Sequence, residues 1–320
     1  MKTGIAVAGT ILVDKINEIT AYPSSGELTK IVGLQMSVGG CVPNVSVDLA
    51  RIAPTLTVKA VGRIGEDTDG DFVLRMLRDN GVDTAHIKRT EDRTSFTEVM
   101  SVKGGQRTFF TYAGASSEFG VDDVTIDALD VKMLHLGYFL LLDKIDSGEG
   151  ELLLKKAKEK GITTSIDLVS ENSDRYALVE RCLPYVDNLI INETEAARLC
   201  RMPEETDVAL LAQKLRTMGV RDRVILHTPD IGVCYSARGL ALRPSYELPK
   251  GYVQGTTGAG DAFCAGALVG IHEEMSDAEI LDIATVSAAA SLSAADAIGG
   301  LKTYAEMCEQ CKNFKRKQLC

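Results

Sequence analysis

From about residue 131 the chain alternates strand-like and helix-like stretches at nearly even spacing, and this rhythm limits its fold more than any other feature. Strands are predicted at 132–137, 163–167, 187–191 and 222–227, with helical stretches between them. The helix near 206–218 carries a clean stripe of Val208, Leu211, Ala212 and Leu215. Gly161 and Gly219 each end a helix just before the next strand. Residues 3–9 (Thr-Gly-Ile-Ala-Val-Ala-Gly) are apolar throughout, as a strand buried on both faces would be. Alternation with short loops makes a mostly parallel sheet with helices on both faces, a three-layer α/β/α fold.

Two β-rich insertions break the rhythm. Residues 11–36 show partly polar alternation with turn signals at Pro23-Ser24-Ser25-Gly26. Residues 94–102 and 106–112, separated by Lys103-Gly104-Gly105, read as a β-hairpin. Together they predict a small separate sheet. Gly39-Gly40 opens a helix running to Ile52, ended by Pro54. A strand at 57–61 precedes a second helix that Asn80-Gly81 stops. Near the end come a meander at 232–248, a helix from Asp261, a helix opened by the capping box Ser276-x-x-Glu279, and a terminal helix. With no internal repeat and no long linker, residues 1–320 are expected to form one domain.

Composition excludes several classes. A net charge of −10 and a pI near 5.0 argue against non-specific nucleic-acid binding. Lys312, Lys315, Arg316 and Lys317 cluster at the terminus, where a solvated tail is expected. The eight cysteines are scattered like buried thiols, and the Cys308/Cys311 pair has no second pair or nearby His to make a zinc site. Its spacing puts both thiols on one face of the terminal helix. No apolar run reaches the ~18 residues of a membrane span, and Ile5–Val13 lacks a cleavage site, so a cytoplasmic protein is expected.

Chemistry is expected where strands and turns pass into helices, at the carboxyl edge of the sheet. Gly255-Thr256-Thr257-Gly258-Ala259-Gly260-Asp261 is a glycine-rich turn feeding an apolar helix, the makings of an anion site. Its spacing mimics a P-loop, but Asp261 stands where a lysine would follow. A carboxylate beside an anion hole makes sense as a base for the nucleophile that attacks phosphorus. The plainer alternative is an N-cap Asp. Gly39-Gly40-x3-Asn44 allows close approach of a polyol and offers a donor and an acceptor, or is an ordinary turn with a cap. Asp14, just past the first strand, suits adjacent hydroxyls or is a surface turn residue. Asn192 and Glu195 stand i, i+3 at a helix start, placed either to orient waters around a phosphate-bound Mg2+ or to cap the helix. Asp167 and Arg175 fall on the same side of the sheet and are open to either reading. No GxGxxG follows the first strand, which speaks against hydride transfer.

In order and spacing these motifs resemble the PfkB family of carbohydrate kinases, with its ribokinase-like fold. The resemblance spans nearly the whole chain. It implies ATP-dependent phosphoryl transfer to a sugar hydroxyl, with Asp261 as base and the backbone of Gly258, Ala259 and Gly260 as the anion hole. Asp14, Gly39, Gly40 and Asn44 would hold the sugar. Asn192, Thr228, Gly232, Thr257, Gly258 and Gly260 would meet the nucleotide, and Asn192 and Glu195 would hold Mg2+ through water. The insertions at 11–36 and 94–112 would form a lid and a homodimer interface, with Phe96, Phe110 or Tyr112 near the substrate. Two departures stand out. Gly255 replaces an Asp common in relatives, leaving a monovalent cation requirement open, and Pro229 replaces the first glycine of a Gly-x-x-Gly nucleotide loop. A ribonucleoside kinase and a non-catalytic sugar-binding sensor of the same fold are the alternatives.

Overall fold

Alternate residues of the first strand face opposite helical layers. In the computed structural model, which describes residues 2–102, 105–171 and 173–318, Ile5 and Val7 join one apolar core while Ala6 and Ala8 join another. That is the signature of a strand covered on both sides.

The first half runs β1 (Ile5–Gly9), β2 (Leu12–Ile19), β3 (Ile31–Gly39), α1 (Cys41–Ile52), β4 (Val58–Gly65), α2 (Thr68–Asp79), β5 (Asp83–Thr90), β6 (Ser95–Val102) and β7 (Arg107–Tyr112). Then follow α3 (Gly114–Ser117), α4 (Ile126–Leu129), β8 (Met133–Phe139), α5 (Gly150–Glu159), β9 (Thr163–Leu168), β10 (Asn188–Asn192), α6 (Glu193–Cys200) and α7 (Val208–Thr217). The last part holds β11 (Arg223–His227), β12 (Ile231–Ser236), β13 (Gly239–Pro244), α8 (Ala259–His272), α9 (Asp277–Ser291) and α10 (Tyr304–Cys311).

Nine strands form the main sheet in the order β13-β12-β11-β10-β9-β8-β1-β4-β5. It is parallel except at β11-β12-β13. The order runs outward in both directions from the β1/β8 boundary, the switch point where the carboxyl ends of such sheets leave a crevice. Helices α1, α2, α8, α9 and α10 supply one core; α5, α6 and α7, with a 3-10 segment Arg175–Tyr185, supply the other. Helix α8 is buried from Asp261 to Ile271, so its apolar character extends all round rather than along one stripe.

The two insertions meet as expected in a separate four-stranded sheet, β3-β2-β6-β7, with β2 and β6 paired in parallel. Residues 103 and 104 of the expected hairpin turn lie outside the described residues.

Three expectations need correction. Strand β5 was not anticipated: Asp-Thr-Ala-His-Ile-Lys-Arg-Thr is polar because it is the sheet's edge and has no buried position. The basic terminus is not a solvated tail. Its backbone pairs with 245–247 through Glu247 N–H to Lys315 O (2.8 Å) and Lys317 N–H to Ser245 O (2.8 Å). Arg316 there bonds Asp282 at 2.9 Å and lies 4.0 Å over the Tyr246 ring. Finally, Cys308 is exposed whereas Cys311 enters the core, so the two thiols do not share an environment.

Candidate active site

Residues from distant parts of the sequence converge at the carboxyl ends of β8, β9, β10 and β11. Tyr138, Asp167, Asn192 and His227 each sit at the end of one of these neighbouring strands, and α1 and α8 close over them. Asp261, in the first turn of α8, is 7 % exposed and accepts a hydrogen bond from Asn44 Nδ2 at 2.9 Å. Thus the two motifs, 217 residues apart, touch directly. The Tyr138 hydroxyl also donates to Asp261, 3.1 Å from Oδ1 and 3.0 Å from Oδ2.

The backbone requires glycine at two of these turns. Gly40, the N-cap of α1, has φ 86°, and a Cβ there would lie 2.6 Å from Thr10 O. Gly258, the N-cap of α8, has φ 81° and a Cβ would lie 2.4 Å from Ala297 O. No side chain caps the start of α8; the Ala259 N–H bonds the Thr256 carbonyl at 3.4 Å, and the turn presents the helix's amino end as a place for an anion. Gly39 leaves room for Asp14, whose carboxylate would stand 2.4 Å from a Cβ at that position.

Burial dominates the electrostatics. Desolvation, reinforced by Asp167, raises the Asp261 pKa to about 7, against the lowering effect of Asn44 and Tyr138. Burial raises Asp14 to about 6 and Glu195 to about 7. His227, packed on the Phe263 ring at 4.8 Å, is held neutral, its pKa lowered by burial to about 4. Asp48, one helical turn after Asn44, is fully buried with neither oxygen bonded, and its pKa is raised well above the carboxylate range.

Asn192 and Glu195 form a reciprocal capping box: Asn192 Oδ1 accepts from Glu195 N–H at 2.9 Å, and Glu195 Oε2 from Asn192 N–H at 3.1 Å. The capping reading holds, and both residues also line a cavity of about 280 Å³ shared with Asp167 and Asp261. Ser170 bonds both, at 2.9 Å to Asn192 and 2.8 Å to Glu195. This donor set is all oxygen and amide, the chemistry a hard cation such as Mg2+ takes. Behind it, Cys41, His135 and Asp167 form a buried polar cluster, in which His135 reaches Ser165 at 3.0 Å and Asp167 at 3.3 Å.

A larger cavity of about 560 Å³ adjoins, lined by Asn192, His227, Thr228, Thr256, Gly260 and Lys317 among others. Thr228 accepts N–H bonds from Asp230 (3.0 Å) and Ile231 (3.1 Å), which shapes the loop. Pro229 also lines the cavity, and its carbonyl accepts from Lys317 at 3.1 Å. Gly232 does not line it: a Cβ there would meet Phe263 and Leu281, so this is a packing glycine of β12. Thr256 rather than Thr257 faces the cavity. Gly255 lies against the carbonyls of Ala294 and Ala295.

Sequence reasoning missed Tyr138, Ser170, His227, Asp48 and Lys317. Tyr138, Ser170 and His227 carried one usable signal, their place at or just past a strand's carboxyl end.

Residues 2–303 match the description "pfkB family carbohydrate kinase". A ribokinase of Arabidopsis thaliana is 28% identical over 294 residues, 90% of this chain and 75% of that protein. An adenosine kinase of Schizophyllum commune is 26% identical over 262 residues, 76% of this chain and 75% of that protein. The structure of Arabidopsis ribokinase complexed with ribose and ATP superposes with a TM-score of 0.84 at 24% identity, covering 98% of this chain and 99% of that one. The match extends across nearly the full chain, from the first strand into the terminal helices, and with it the chain belongs to the PfkB family of carbohydrate kinases, ATP-dependent phosphotransferases with hydroxyl acceptors.

Proposed function

We propose that the protein transfers the γ-phosphoryl group of ATP to a hydroxyl of a sugar or sugar derivative, with Asp261 as general base. The observation that carries this reading is the position of Asp261. It is a buried carboxylate with a pKa raised to about 7, bonded to Asn44 at 2.9 Å on the acceptor side and third in α8, whose start carries no side-chain cap. A base with that pKa is half ionised at neutral pH, where proton transfer is most effective.

The larger cavity is suited in size to a nucleotide. The N–H groups of Gly258, Ala259 and Gly260 would receive the transferring phosphoryl, and Asp14, Gly39, Gly40 and Asn44 the acceptor. Mg2+, when bound, supplies neutralisation of phosphate charge; Asn192 and Glu195 would hold it through water. The Thr228 turn, Thr256 and Lys317 would face the nucleotide. Gly255 brings no carboxylate to the Ala294 and Ala295 carbonyls, so a K+ requirement is best settled by assay with and without KCl.

The exposed apolar side chains on one face of the small sheet support a homodimer through it: Leu34 is 78 % exposed and Phe110, on the same face by strand register, 59 %. A light-scattering mass of twice the chain mass checks this.

Asp261→Ala is expected to lose at least ~100-fold in kcat with acceptor Kd little changed. Near-normal turnover would end the base assignment. A panel of pentoses, ketohexoses, sugar acids and nucleosides identifies the acceptor. The similarity to an adenosine kinase keeps nucleosides in that panel, and binding without ATP turnover on every acceptor would mark a sensor instead.

A further inference from the structure

Tyr138 belongs to none of the motifs above, yet it makes the closest polar contact with Asp261 apart from Asn44. It reaches that position by an uncommon backbone path. Tyr138 has φ 59° and Leu140 φ 79°, both in the left-handed region that non-glycine residues avoid. The β8–β9 register shifts between Leu136 and Phe139, at the same place. Two such residues two positions apart cost stability and persist only where the surroundings hold them.

Here buried carboxylates hold them. Asp167 Oδ1 accepts the Tyr138 N–H. Asp146 Oδ1 accepts the Leu140 N–H at 2.9 Å. Asp146 is itself gripped by Arg175 at 2.8 Å, and Arg175 also bonds Leu140 O at 3.2 Å. Asp167 and Arg175, which the sequence left open between a ligand role and a structural one, thus fix the turn that carries Tyr138.

We propose that Tyr138 is a positioning residue for Asp261: its phenol fixes the orientation of the carboxylate and favours the ionised form, and the left-handed turn at 138–140 serves to aim it. This rests on the reading of Asp261 as the base. The titratable groups facing Asp261 are Asp14 from β2, Cys41 and Asp48 from α1, Tyr138 from β8, Asp167 from β9 and Cys264 from α8. Ionised carboxylates in that set oppose ionisation of Asp261. Tyr138 and Asn44 are the two side chains that bond the charged form and so favour it. The phenol stays protonated, because burial and Asp261 raise its own pKa well above the usual value, so it remains a donor across the working pH range.

The test compares wild type, Tyr138→Phe and Asp261→Asn. The Asp261 carboxyl is followed by 13C NMR of aspartate-labelled protein and assigned by its loss in Asp261→Asn. In parallel, kcat/KM is measured from pH 5.5 to 9.5 with ATP and the best acceptor of the panel. In Tyr138→Phe the Asp261 midpoint and the acid limb of the profile are expected to move up together by about one pH unit, the scale of one hydrogen bond to a carboxylate. The deficit at pH 7 then recovers above pH 9. A loss of equal size at every pH, or an unmoved NMR midpoint, overturns the proposal. If Asp261→Asn keeps its turnover, the base reading fails; if it loses turnover while Tyr138→Phe titrates like wild type, only the role of Tyr138 fails.

Discussion

Asp261 and Asp277 are almost equally buried, at 7 % and 6 % exposure, yet they live in opposite electrostatic worlds. Asp277, at the amino-end side of the sheet, bonds Arg223 at 2.8 Å and Ser236 at 2.6 Å. Asp187 at the same side is held by Lys158 at 2.6 Å. At the carboxyl side, Asp14, Asp48, Asp167 and Asp261 gather; burial raises the pKa of Asp14, Asp48 and Asp261, the charge of Asp167 adds to the rise at Asp261, and the groups bonding Asp261 are an amide and a phenol. One end of the sheet spends its carboxylates on cohesion. The other leaves Asp14 and Asp261 poised to titrate, at a cost in stability.

The contrast can be broken most sharply at the cohesive end. Asp277→Ala leaves the Arg223 guanidinium, 8 % exposed, without its buried carboxylate partner and with only the half-exposed Asp222, and is expected to lower unfolding free energy by about 3 kcal/mol. Urea denaturation measures this, while kcat of the folded fraction stays near wild type. Asp261→Ala is the mirror image, with turnover down at least ~100-fold and no loss of stability. Asp48→Ala removes a buried carboxyl with two unbonded oxygens and is expected to raise stability at pH 8 by about 1–3 kcal/mol. The sign follows from linkage. A carboxyl whose folded pKa is raised binds its proton more tightly folded than unfolded, so its penalty develops as pH rises above the unfolded value near 4. The gain from Asp48→Ala should therefore shrink toward pH 4, and a pH-independent gain would contradict the assignment. The smallest effect is on rate: with Asp261 titrating at about 7, kcat/KM should fall roughly tenfold per unit below that pH.

The cohesive scaffold was largely legible in the sequence, because strand and helix periodicities are local. Val208, Leu211, Ala212 and Leu215 announced α7, and Ser276 with Glu279 announced the start of α9. The glycine turns were legible too, since Gly40 and Gly258 occupy conformations closed to other residues. What could not be read depends on long-range pairing. Strand β5 looks like a loop until its single neighbour β4 is known. Tyr138 gives no sign of its backbone, because Asp167 and Asp146 impose it from 29 residues away and from six. Lys317 reached the larger cavity only because residues 245–247 paired with the terminus.

The small sheet is assembled from two separate excursions of the chain. It is entered at Thr10-Ile11 and left at Gly40, then entered again through 91–94 and left at Ala113. Four short junctions therefore stitch it to the body, and its parallel β2–β6 pairing joins the two excursions. It is not a cassette. Transplanting this sheet from a relative would require four simultaneous splices in register, whereas its side chains can be exchanged one at a time.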